Sequence, residues 1–314
     1  MLISSLPPVH QRELLERIIT CPDIGAVRYN TGMSSAYDPH ETIRRIQALA
    51  KAMHKPLYID LKGKQLRVVE WANLPEGPIV LNHRIAVTLP AKVYFRGDDC
   101  CELREVVNGT KLYVDPLPKA PVGRGQAVNI LAQELTIEGG LLELDRAYIE
   151  AAIAEGITRF MLSFVESWND VRELEEAIIR HGRGSRSLKD YEIVLKIESR
   201  AGLEFVVKDT AKKHFHNGPY RLMAARDDLM IHIGVYGMPE ALKLIVQKDP
   251  HAICASRLLM GLETGAVSMA DLSDIEYMRS LGYRHFMLSD GISREHFQEA
   301  LAFWQTYRAS GGVA

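Results

Sequence analysis

The sequence predicts an α/β protein: a (β/α)8 TIM barrel with a small β-barrel-like domain inserted after the third strand. Three observations carry that prediction. Short apolar runs alternate with helix-spaced apolar stripes along most of the chain. The rhythm breaks once, from about Trp71 to Gly140, where six prolines and an Asn108-Gly109 hairpin signal replace the helical stripes. Charged residues collect where the apolar runs end, which is the catalytic rim of such barrels. The expected division is therefore 1–70 with 141–314 for the barrel and 71–140 for a β-rich lid.

Leu2 to Leu6 is the first strand, and the helix after it carries Leu14, Leu15, Ile18 and Ile19 at helical spacing. Ile24 to Tyr29 is the second strand. The next helix starts at Asp38-Pro39-His40-Glu41: a capping Asp, a Pro in the first helical position and an acid three residues after the cap. Ile43, Ile46, Leu49, Ala50 and Met53 form its buried stripe, and Pro56 to Leu61 is the third strand. Within the insertion, Val93-Tyr94-Phe95 and Leu112-Tyr113-Val114 read as short strands. Helix Leu144–Glu155 then leads to strand Thr158–Phe164, and helix Asp170–His181 to strand Tyr191–Glu198. Tyr220–Arg226 and Ala252–Ser256 are the sixth and seventh strands. Ser268 to Asp271 makes a capping-box start for the helix before the eighth, His285–Ser289, and a last helix runs from Arg294 to about Tyr307.

Composition narrows the class. The 314 residues are 47% hydrophobic and 25% charged, ordinary values for a globular chain with a large core. A net charge of −2 makes no case for a nucleic acid or membrane partner, and no apolar run approaches the length of a membrane span. The four cysteines lack C-x-x-C spacing and the N-terminus lacks signal-peptide character, so a reduced, cytoplasmic protein is expected.

The chemistry concentrates between Tyr191 and Asp228. Side chains alternate along a strand, so Lys196 and Glu198 share one face about 7 Å apart. The apolar run Leu222 to Ala225 ends in Arg226-Asp227-Asp228. Charges at the ends of neighbouring strands are costly to bury unless paired or bound to a metal. On spacing alone, a divalent-ion site at Glu198 and Asp228 and a buried Lys–Glu bridge beside a solvated acidic turn fit equally well. Other conspicuous groups take plainer readings. Lys212, Lys213, His214 and His216 read as a solvated helix end; His83 and Trp71 read as packing residues and Cys254 as a small core residue. Ser289-Asp290-Gly291 is either a phosphate-facing turn or an ordinary helix start.

These residues lie in motifs that resemble those of the pyruvate kinase family, in order along almost the whole chain. The R-x-N-x-S of the family appears as Arg28-Tyr29-Asn30-Thr31-Gly32, and D-T-K-G-P-E-I-R as Asp60-Leu61-Lys62-Gly63-Lys64-Gln65-Leu66-Arg67. S-F-V is Ser163-Phe164-Val165, and K-I-E-N-x-x-G is Lys196-Ile197-Glu198-Ser199-Arg200-Ala201-Gly202. A-R-G-D-L is Ala225-Arg226-Asp227-Asp228-Leu229, and C-A-T-Q-M-L is Cys254-Ala255-Ser256-Arg257-Leu258-Leu259.

The resemblance implies catalytic roles for Lys196, Arg28 and Ser256. Lys196 would steady the phosphoryl group in flight, Arg28 and Asn30 would hold it, and the Ser256 hydroxyl would stand near the enolate carbon. Ser163 and Asp227 join Asn30 at the substrate, Arg67 meets the phosphates of ADP or ATP, and Glu198 with Asp228 binds Mg2+ or Mn2+. Asn30 and Asp60 remain from a monovalent-cation site whose other oxygen donors are replaced by Gly32 and Leu61, so K+ is not expected to be required. Asp227 stands where the family has glycine; it either blocks the substrate carboxylate, turns outward, or binds a second cation or an amine. The family's C-terminal regulatory domain is not expected here, nor its effector control, and barrel-to-barrel homodimers are a further implication.

Three functions fit: phosphoryl transfer between a phosphoenolpyruvate-like molecule and a nucleotide, a metal-dependent lyase or aldolase reaction on a pyruvate-type enolate, and a catalytically silent binding module. Retention of Arg28, Asn30, Lys196, Glu198 and Asp228 together favours the enzymes, because unused buried charges cost stability. A small phosphorylated or keto-acid substrate is common to both enzyme readings.

Overall fold

The computed structural model describes all residues except 96–98, 133, 183–185, 210–214, 216–217 and 313–314. The patch of Lys212, Lys213, His214 and His216 lies outside the described residues. Eight parallel strands close into a barrel: β1 (Leu2–Ser5), β2 (Ala26–Asn30), β3 (Leu57–Leu61), and then, after an insert, β11 (Arg159–Leu162), β12 (Glu192–Ile197), β13 (Tyr220–Ala225), β14 (Ile253–Ala255) and β15 (His285–Met287). Closure is made by β15 against β1, with Leu2 opposite Phe286 and Ile3 opposite Met287.

Alternation along the strands sorts the side chains into two shells. Ile193, Leu195 and Ile197 of β12 pack outward against the helical layer, whereas Val194 joins Ile3, Ala26, Tyr58, Met161 and Met223 in a separate plug inside the barrel. Extending that inner face by two residues on β1, β2, β3, β11 and β12 gives Ser5, Arg28, Asp60, Ser163 and Lys196, all buried. The polar layer therefore sits directly on an apolar one.

The helices obey their local signals. Asp38 Oδ1 accepts the Glu41 N–H at 2.9 Å at the start of helix Pro39–Ala52. Ser268 and Asp271 exchange caps at the start of Met269–Leu281, the Asp carboxylate accepting the Ser268 N–H at 2.7 Å. The single last helix expected from Arg294 is instead two, Asp290–Glu295 and Phe297–Tyr307. Ser289 Oγ caps the first by accepting the Ile292 N–H, and His296 leaves helical geometry with φ −130° and ψ 27°. Among the described residues no single helix is long and apolar enough to cross a membrane.

The insert holds β4 (Ile79–Val80), β5 (Ile85–Val87), β6 (Ala91–Phe95), β7 (Asp99–Val107), β8 (Lys111–Asp115), β9 (Val128–Leu131) and β10 (Leu135–Ile137). Five of them form an antiparallel sheet in the order β4-β8-β7-β6-β9, and β10 pairs with β5. Leu66, Val68, Val93, Phe95, Leu103 and Ile130 belong to its own core, distinct from that of the barrel.

Two crossings join insert to barrel. The chain leaves at Gly63, φ 50°, and returns by Gly139, φ 81°. Asp145 accepts the N–H groups of Lys62 and Gly63 at 2.8 and 3.0 Å. His83, expected as a packing residue, is buried and also bridges the crossings: its Nε2 lies 2.8 Å from the Gly63 carbonyl and its Nδ1 3.2 Å from that of Glu138. At Gly63 a Cβ would stand 3.0 Å from Leu162 Cδ1 and 3.1 Å from the Ser163 carbonyl, on a left-handed backbone. Gly63→Ala should therefore cost at least about 1–2 kcal/mol, the left-handed penalty alone, read as a lower urea midpoint for unfolding.

Candidate active site

Asp60 is the hub. Its carboxylate has no solvent exposure and lies among three cations. Arg28 donates through Nε to Asp60 Oδ2 at 2.8 Å, and through a second guanidinium nitrogen to the same oxygen. Lys196 Nζ stands 3.4 Å from Oδ1 and Lys62 Nζ 3.5 Å from Oδ2. Burial works against the charge on Asp60, but Arg28, Lys196 and Lys62 hold its carboxyl far below the usual range.

Lys196, 5% exposed, also donates to Ser163 Oγ at 2.8 Å and meets Glu198 Oε1 at 3.1 Å. Burial again opposes its charge, yet Asp60 and Glu198 keep it above the normal lysine value. Lys62 goes the other way: burial, with Arg67, Lys196 and Arg28 nearby, outweighs Asp60 and pushes it down to about 7. Glu198 is pushed up to about 6, first by burial and then by the charge of Asp228, against the pull of Lys196.

Arg28 makes two further contacts, to Ser5 Oγ at 3.0 Å and to Asp290 Oδ1 at 2.6 Å. Asn30 Nδ2 donates to the other oxygen of Asp290 at 2.8 Å, while its Oδ1 accepts the Gly32 N–H at 3.0 Å. Arg67 is braced by Gln65 Oε1 and by the Gly125 carbonyl at 2.6 Å. A Cβ on Gly32 would fall 2.9 Å from the Arg67 guanidinium carbon and 3.0 Å from Lys62 Cε. The glycine thus leaves room for two cationic side chains.

Six of the sequence-predicted residues (Arg28, Asn30, Asp60, Ser163, Lys196 and Glu198) fall into this one connected network, with Arg67 at its edge. Asp228 lies toward the insert, where Asn129 Nδ2 donates to its Oδ1 at 2.8 Å. Asp227 does not join the network. Its side chain is half exposed and faces Arg257 at 3.3 Å. Ser256 contributes its carbonyl to Arg226, at 3.0 and 2.7 Å, and Asp274 clamps the same guanidinium. Ser256, Arg257 and Leu259 all adopt positive φ, so the loop after β14 is strained at the rim.

Sequence reasoning missed Ser5, Asn129 and the partnership of Asp290 with Arg28. Ser5 was within reach, since it follows Ile3 on the inner face of β1. In sequence Asp290 stands out only as part of a turn. Asn129 sits in the insert, far along the chain from Asp228, and carried no local signal. A cleft of about 800 Å3 runs between insert and barrel, lined in part by Lys64, Asn129, Phe164, Arg200 and His232.

The two carboxylates suit a hard divalent ion. Glu198 Oε2 accepts the Phe164 N–H at 2.7 Å and Asp228 Oδ1 accepts from Asn129, so each is oriented by a neighbour. Glu198 is raised first by burial and then by the charge of Asp228, and a bound cation would offset both. Among the described residues no cluster of three or more His, Cys, Asp or Glu could hold a metal. Two carboxylates with water and substrate oxygens are a usual arrangement for magnesium.

A family model described as "Pyruvate kinase, barrel domain" matches residues 97–290. The pyruvate kinase of Thermotoga maritima is 26% identical over 298 residues, covering 86% of this chain and 61% of that protein. That of Thermoplasma acidophilum is 24% identical over 253 residues, 74% of this chain and 42% of the relative. Pyruvate kinase 1 of Saccharomyces cerevisiae is 23% identical over 291 residues, 80% and 55% respectively. The chain thus spans about two fifths to three fifths of the length of these relatives.

Replacing Asp60 by Asn would leave Arg28, Lys62 and Lys196 facing one another without their shared counter-charge. A loss of about 3–5 kcal/mol is expected, the cost of breaking a buried ion pair from one side, measured by chemical denaturation. The folded carboxyl lies below its unfolded value of about 4, so its stabilisation is complete above about pH 4 and is lost only as pH falls further. Native and variant curves should converge in strong acid.

Proposed function

Because this chain belongs to the pyruvate kinase family, we propose that it catalyses magnesium-dependent phosphoryl transfer between a phosphoenolpyruvate-like substrate and an adenine nucleotide, through an enolate. The observation that carries the reading is the ammonium of Lys196, buried yet held charged by Asp60 and Glu198, on the same inner face as Arg28. Phosphoryl transfer asks little covalent chemistry of a protein; it asks for charge in fixed positions. Lys196 and Arg28 offer donors to the equatorial oxygens of the moving group. Asn30, pinned by Asp290, and Ser163, pinned by Lys196, are the polar groups that orient it. Arg67, reaching across to the Gly125 carbonyl, takes the nucleotide phosphates. Ser256 carries the hydroxyl assigned to the enolate carbon. A divalent ion bound by Glu198 and Asp228 supplies Lewis-acid neutralisation of substrate oxygens. The insert acts as a lid that keeps water from the site.

Gly32 and Leu61 lack the side-chain oxygens that would complete a monovalent-cation site, so the reaction proceeds without K+. The reading places the protein in the cytoplasm, acting on small molecules.

Purified protein with Mg2+, phosphoenolpyruvate and ADP should form pyruvate and ATP at the same rate in potassium-free and potassium-containing buffer. Lys196→Met should lower kcat by about 10²–10³, the usual loss when one preorganised charge donor is removed, while Mn2+ binding persists. No turnover in either direction would sink the phosphotransferase reading.

A second reading is favoured by one observation, the Asp227 carboxylate paired with Arg257 at the mouth. An acid there disfavours a dianionic substrate and suits a lyase acting on a pyruvate-type enolate. Under that reading deuterium enters pyruvate without nucleotide. Asp227→Gly separates the two: increased phosphoenolpyruvate turnover would mean that the aspartate steers selectivity, whereas unchanged turnover would remove it from substrate choice.

A further inference from the structure

Asn129 lies on β9 of the insert, 5% exposed, and is carried by the ladder to β6 through the pairing of Tyr94 with Asn129. Its amide makes two contacts, both to the helix Arg226–Ile233 of the barrel. Nδ2 donates to Asp228 Oδ1 at 2.8 Å, and Oδ1 lies 3.2 Å from His232 Nε2. A carboxylate can only accept, so the NH2 end of the amide must face Asp228. The oxygen then faces His232, whose Nε2 must carry a proton. The direction of the whole chain is fixed: His232 donates to Asn129, and Asn129 donates to Asp228.

The chain continues to the other carboxylate. The His232 ring packs edge-on against Phe164, centroids 5.9 Å apart at 68°, and the Phe164 N–H donates to Glu198 Oε2. One residue of the insert therefore closes a circuit of contacts between the two acids assigned to the divalent ion.

We infer that Asn129, carried in from the insert, is a positioning residue that orients Asp228 for the divalent ion. The inference rests on the metal-site reading above. Outer contacts of this kind typically change metal affinity by about 10–100-fold.

The test uses manganese alone, titrated calorimetrically into the whole protein, with amide hydrogen exchange over residues 128–131. In native protein Mn2+ should bind and slow exchange across β9. Asn129→Ala should weaken Mn2+ binding about 10–100-fold and abolish the metal-dependent slowing, an effect that loss of packing alone would not confine to the metal-bound state. His232→Ala, which keeps the amide but removes its donor, should weaken binding in the same direction, and it decides the matter should Asn129→Ala not fold. Native-like Mn2+ affinity and slowing in these variants, with binding lost in Glu198→Gln, would overturn the positioning role and leave the metal site standing. If the native protein takes up no Mn2+, the metal reading falls and the positioning role with it.

Discussion

A single carboxylate, Asp60, makes the concentration of positive charge at the barrel mouth tolerable. Three cations, Arg28, Lys62 and Lys196, reach its two oxygens from three directions inside a nearly dry site. Without a shared partner each would lose its hydration with little in return. With it, two of them remain charged and the third, Lys62, is pushed down to about 7. Asp290 and Glu198 balance the flanks through Arg28 and Lys196. The arrangement resembles a preorganised anion receptor: donors are held by acids that cannot themselves bind an anionic substrate, and little reorganisation is left for the moment of reaction.

The reason this receptor forms lies in the period of a strand. Along β2, β3, β11 and β12 the inner positions read apolar and then polar toward the C-terminal end, as in Ala26 to Arg28, Tyr58 to Asp60, Met161 to Ser163 and Val194 to Lys196. Alternation forces those polar groups into the barrel rather than toward the helices, and closure brings the strands into a ring. The apolar plug below removes water from one side. Much of the site was therefore readable from the chain, because strand identity, inner face and distance from the strand end are all local properties. The caps at Asp38 and Ser268 were readable for the same reason: donor and acceptor lie three residues apart.

What was not readable depends on contacts between distant segments. Asn129 meets Asp228 only because the insert folds back over the rim, and nothing in the residues around Asn129 marks it. Asp290 looked like a turn residue because its partner, Arg28, is near the other end of the chain and becomes adjacent only when β15 closes on β1. Apolar spacing that continues across His296 predicts a single last helix, whereas the Ser289 cap starts an earlier, shorter helix that ends there. The two carbonyls that the buried His83 bridges leave no trace in sequence.

The exchanges at Gly32 and Asp227 gain meaning from the same charge balance. The lack of a side chain at residue 32 leaves the Arg67 guanidinium and the Lys62 stem free to pack against the backbone there. Gaining an acid at residue 227 adds the opposite charge at the rim, and Arg257 stands 3.3 Å away to offset it. The entrance is thereby self-compensated. An anion small enough to reach Lys196 meets a strong, fixed field, whereas one that must lay a second negative group against the rim has to displace a pair already satisfied. The outer pair is thus satisfied within the protein, while Lys196 and Arg28 are the fixed charges of the inner site.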